Sequence, residues 1–119
     1  MTALNVLQRF LEARDQIHYL HLETLSFSEH KALNAFYEEW LDLLDSFTET
    51  YQGKYGRISG AISIKIDSNV DARKYLIDLQ IFLNEYAEPI VSEADSDLLN
   101  ILADMKGLVN HTLYMLTLK

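Results

Sequence analysis

The sequence predicts an all-α protein, a four-helix bundle whose second and third helices are joined by one long connection. Three observations lead there. Apolar residues recur at spacings of three and four along four separate stretches, as on one face of a helix. Proline occurs once, at Pro89, and three of the four glycines (Gly53, Gly56, Gly60) share one segment, so long helices can run on either side of it. The first and second stretches, and the third and fourth, are only a few residues apart, which makes each pair an antiparallel hairpin.

The first helix is predicted over residues 3–25, where Leu4, Leu7, Leu11, Arg14, His18, His21 and Leu25 form the stripe expected to face the other helices. Ser26 and Glu29 have capping-box spacing, and a second helix over 28–52 presents Leu33, Phe36, Trp40, Leu44 and Phe47 before Gly53 is expected to stop it. Ser68 and Asp71 announce a third helix over 69–87, carrying Leu76, Leu79, Phe82, Leu83 and Tyr86 up to Pro89. The fourth, over 93–117, has Leu98, Leu102, Met105, Val109, Leu113 and Leu116 on one face, with Asp95 and Asp97 beside its positive N-terminal end. Between the second and third lie the residues GKYGRISGAISIKIDS, 53–68. Extended, they reach roughly 50 Å, more than the about 36 Å of a 24-residue helix, so they can cross the whole bundle and set the second and third helices parallel. The alternation in AISIKID, 61–67, suits an extended segment lying along the bundle, with a short hairpin strand as the alternative. One long crossover of this kind is the ferritin-like connectivity.

Composition narrows the function. The 119 residues make a single domain, 1–119, with 49% apolar and 24% charged residues. No apolar run has the length of a membrane span, and no signal peptide is recognisable at the N-terminus, so a cytoplasmic, non-membrane protein is expected. The absence of cysteine excludes disulfides, thiolate nucleophiles and zinc–cysteine sites, leaving nitrogen and oxygen as the only metal donors. A net charge of −8 without a basic tail argues against a nucleic-acid partner.

Histidine is unusually placed. His18 and His21 stand on the apolar stripe of the first helix, while His30, Asn34, Glu38, Leu41, Asp45 and Glu49 fall within about 100° of arc on the second. Carboxylates on a buried face need a partner or a metal. His111 and the GKYGR turn, with Lys54 and Arg57, read as surface.

These residues resemble the ferroxidase pattern of the starvation-induced miniferritins, the Dps proteins: His, eleven residues, His, three residues, Asp, ten residues, Asp, three residues, Glu. Here His18, His30, Asn34, Asp45 and Glu49 occupy the five positions without a gap. Phe36 matches the family's aromatic two residues after the first Asp position, and DLLNILADMKGLVNHTLYML, 97–116, is similar to its last helix. The resemblance implies a homodimer through the first two helices, with a larger hollow shell beyond it. It also implies a metal site at the dimer interface, with His18, His30 and residue 34 from one copy and Asp45 and Glu49 from the other. Iron is the implied metal, oxidised there and stored, with zinc or manganese as other divalent occupants of such a donor set. Asn34 stands where the family has an acid, so one of three anionic ligands is missing and Fe(II) is expected to bind less well. His21 and Glu38 are the possible extra ligands; Asp42 is turned further away. The basic N-terminal extension that members use on DNA has no counterpart before the first helix, and DNA binding is not expected. The alternative is an acidic helical interaction or inhibitor protein that keeps the bundle without ferroxidase activity.

Overall fold

In the computed structural model, which describes residues 1–119, four helices carry the chain: α1 Ala3–Glu23, α2 Phe27–Tyr55, α3 Ala72–Phe82 and α4 Ser96–Met115. Local chemistry sets most of the boundaries. Thr2 and Asn5 close a reciprocal capping box at the start of α1. The Ser26 hydroxyl accepts from the Glu29 N–H at the start of α2, and the Asp71 carboxylate from the Lys74 N–H at the start of α3.

Two boundaries differ from expectation. Gly53 does not stop α2; nothing crowds it, and helix continues to Tyr55 until Gly56 takes the positive φ of 91° that turns the chain away. The third helix starts at Ala72 rather than 69, because Asn69 is left-handed at φ 59° and breaks any helix begun before it. At its far end α3 widens into a π turn, Leu83–Ala87, and then a 3₁₀ turn, Glu88–Ile90, which seats Pro89 where its missing N–H costs no helical bond.

The helices pack as two hairpins. α1 lies on α2 and touches α3, and α4 lies on α2 and α3. The start of α4 meets the end of α2, where Asp95 receives Lys54 and the Tyr55 hydroxyl. Gln80 of α3 reaches the Lys106 carbonyl and Asn110 of α4, and Lys106 pairs with Glu88. At the centre Trp40 stands edge-on to Phe10 at 5.4 Å, stacks on Phe36 at 5.3 Å, and donates its indole N–H to the Phe10 carbonyl at 2.9 Å.

The core stripe of α1 is Val6, Phe10, Ala13, Ile17 and Leu20, not the Leu4/Leu7/Leu11/Leu25 stripe beside it. α1 is apolar on two adjacent stripes. The one bearing Phe10 and Ile17 fills the intramolecular core; Leu7 and Leu11 are half-buried, and Leu25 is fully exposed.

Residues 56–71 form no strand; they run extended along α1. The N–H groups of Ser63, Lys65, Asp67 and Asn69 donate to the side chains of Gln8 (2.9 Å), Glu12 (3.2 Å), Gln16 (2.9 Å) and Glu23 (3.2 Å), and Gln16 returns a bond to the Asp67 carbonyl. Two extended residues advance about 6.6 Å and four helical residues about 6 Å, so the first three rungs stay in step with every fourth residue of α1; Asn69, at the bend that ends the link, is met instead by Glu23, seven residues beyond Gln16. From Gly60, packed on Leu4, to Asn69 at Glu23, the link passes along nearly the whole of α1.

A histidine cluster on the α1/α2 hairpin

His18 and His21 sit on the last turns of α1, and His30 and Tyr37 on the first turns of α2. Their rings form a continuous stack: Tyr37 on His18 at 4.3 Å, His18 beside His21 at 5.7 Å, and His21 on His30 at 4.1 Å. It is His21, read from sequence as an accessory, that meets His30. Helical phase explains this: His21 turns towards α2 and is buried, while His18 lies further round and remains half-exposed. Nδ1 of His30 lies 2.9 Å from the His21 carbonyl, which can only accept; the proton is therefore on Nδ1, and Nε2 is the free basic nitrogen of the neutral ring. His21 Nδ1 is buried and has no partner.

Burial holds the His21 imidazole below its ordinary value of 6.5, and the neighbouring His30 and His18 reinforce this against the opposing pull of the His18 backbone and Glu38. The unfolded chain then binds a proton near pH 6.5 that the folded chain refuses, so stability falls as pH drops below that value towards the lowered folded one. The urea midpoint is expected to decrease between about pH 7.5 and 5.5, and His21→Phe, which keeps a stacking ring, is expected to flatten the decrease. Identical pH profiles for the two proteins would show that His21 does not carry it.

The acidic part of the predicted site lies elsewhere. Asp45 and Glu49 are exposed one turn apart on the outer side of α2, and the 15 residues from His30 to Asp45 place them about 22 Å away along the helix. Asn34 is half-buried and Glu38 exposed. Within one chain no three His, Asp or Glu side chains are arranged to hold a metal ion, and stacked rings direct their nitrogens side by side rather than to a common point. The carboxylates are expected on a surface buried between helices; in the single chain Asp45 and Glu49 are exposed, on the outer face of the hairpin. By helical phase the half-buried Leu7 and Leu11 of α1 and Leu41 of α2 fall between the histidine end, to which Tyr37 belongs, and the carboxylate end.

Sequence reading missed two features. Tyr37 is absent from the predicted site, though its phase with His30 marks it as part of the stack. The Lys54–Asp95–Tyr55 cluster joins residues 41 and 40 positions apart, a contact that no local pattern announces.

Residues 21–116 match the Family of unknown function (DUF5856). The chain belongs to this family. The DUF5856 region includes His21, His30, Asn34, Asp45 and Glu49 and begins just after His18. The chain is also similar to the "Uncharacterized 14.6 kDa protein in mobD-ri intergenic region" of Enterobacteria phage T4, with 27% identity over 113 residues covering 92% of this chain and 83% of the phage protein. Neither description names an activity. No solved structure matches the chain.

Proposed function

We propose that this protein is a miniferritin-like, divalent-metal-binding helical protein whose metal site is completed only when two copies pair through the outer faces of α1 and α2. One observation carries the reading: imidazoles at one end of that face, carboxylates at the other, and a half-buried apolar strip between them. A two-fold axis near Tyr37 and Leu41, midway along α2 between the two ends, lays the second copy's Asp45 and Glu49 beside His18 and His30, twice over. Such an arrangement gives the exposed Leu22 a neighbour. Imidazole with carboxylate suits iron, zinc or manganese. With iron, Fe(II) is the substrate and oxygen or peroxide the oxidant; Asn34 supplies an oxygen but no charge, which weakens the hold on the ferric product. The proposal sets this chemistry in the cytoplasm, with a larger shell as a further stage of assembly.

The test uses the shared nature of the site. His18→Ala and Glu49→Ala are each expected to lose Fe(II) binding by at least about tenfold. Mixed in equal amounts and allowed to exchange, they are expected to recover about a quarter of the wild-type sites, because each mixed dimer contains one intact site. A monomeric mass at working concentration, or no recovery from two folded variants, would remove the shared site.

A second reading, an acidic helical protein that binds or inhibits another protein, is favoured by the want of a three-donor cluster within the chain and by exposed Leu22, Leu25 and Phe27 around the α1–α2 turn. A monomer that captures one host protein stoichiometrically after metal removal would favour it over the first.

A further inference from the structure

On the flank of α2 away from α1, the beginning of α2 and the end of α4 enclose a groove of about 410 Å³. Its depth has a local cause. Ala32 and Ala35, one turn apart on α2, leave space between the helices that the facing side chains do not fill, and Phe27, Met115 and Leu118 line it with accessible apolar surface. Lys31 stands at the rim with its ammonium 5.9 Å from the centre of the Phe27 ring, and Lys119 and His111 also border the groove. Glu39 is the one acid among the lining residues. In a chain with 18 acidic and 10 basic side chains, this is a place where the local balance of charge is reversed.

We infer that the groove binds a small amphiphilic anion, a carboxylate with a single aliphatic chain, its tail on Phe27, Met115 and Leu118 and its head at Lys31. The volume is within the range of small-molecule pockets, about 300–1,000 Å³, and the lining has their usual character of apolar walls with few polar groups. A neutral apolar ligand leaves the Lys31 ammonium unused. A multiply charged phosphate ester or nucleotide finds too few cations and meets Glu39. A monoanion with an apolar tail uses both halves of the groove.

Calorimetric titration of the full chain with decanoate, kept below its micelle-forming concentration, tests the inference. One saturable site per chain is expected. Lys31→Glu, a change at an exposed position, is expected to weaken decanoate by at least about tenfold, and decanol is expected to bind weaker than decanoate by a similar factor. Ala35→Phe fills the groove from an exposed position of α2 and is expected to abolish binding while the helical circular dichroism is kept; should it disturb folding, Ala35→Met replaces it. Absence of saturable decanoate binding, binding that survives Lys31→Glu and Ala35→Phe, or equal binding of decanol overturns the proposal.

Discussion

Trp40→Ala is expected to leave this protein barely folded, with a loss of about 4–5 kcal/mol against a total of about 5–15 kcal/mol for a domain of this kind. Trp40 is completely buried where α1 and α2 meet, with Phe10 against its edge and Phe36 against its face. Truncation empties the largest side-chain volume in the core and deletes the indole bond to the Phe10 carbonyl. Collapse around the hole is restricted because Phe10 also packs edge-on to Phe47 and Phe82. Trp40→Phe keeps an aromatic body and is expected to cost less than half as much. Since Trp40 is the only tryptophan, urea unfolding has to be followed by far-ultraviolet circular dichroism. A Trp40→Ala midpoint close to that of the wild type would show that the core is not organised around this ring.

Asp95→Ala is expected to cost about 2–4 kcal/mol. The carboxylate is 1% exposed and gathers three donors: the Lys54 ammonium and Tyr55 hydroxyl from the end of α2, and the Ser92 N–H from its own turn. Its removal leaves the Ser92 amide without this acceptor and unties the end of α2 from the beginning of α4. Lys54 is about half-exposed, so the freed ammonium returns to water, which keeps the loss below that of a fully stranded charge. The reverse change, Lys54→Met, leaves the buried anion without its cation and is expected to be at least as costly. If Lys54→Met were neutral, the ion pair would have no part in closing the bundle.

The four helices were legible because each carries a three-four apolar repeat, and Ser26 and Asp71 cap the second and third as their side chains dictate. What could not be read is which of two apolar stripes on one helix faces inward. Leu4, Leu7 and Leu11 have the right spacing, but Phe10 and Ile17 bury more surface per residue and take the core. The same ambiguity governed the histidines. Their presence on an apolar surface was evident, whereas the stacking of His21 on His30 depends on the rotation of one helix against the other, which tertiary packing decides. The stop expected at Gly53 failed because glycine only permits an exit from a helix, and the exit is made where positive φ is adopted, at Gly56.

The ladder between the link and α1 couples the lengths of two segments that no covalent bond joins. Inserting one residue near Ser63 would present the opposite set of amides to Gln8, Glu12 and Gln16, since successive residues of an extended chain point to opposite edges. Inserting two in the link together with four in α1 would restore the match. Insertions and deletions in this chain are therefore expected to be tolerated jointly: in α1 in steps of about one turn, and in the link in steps of two residues.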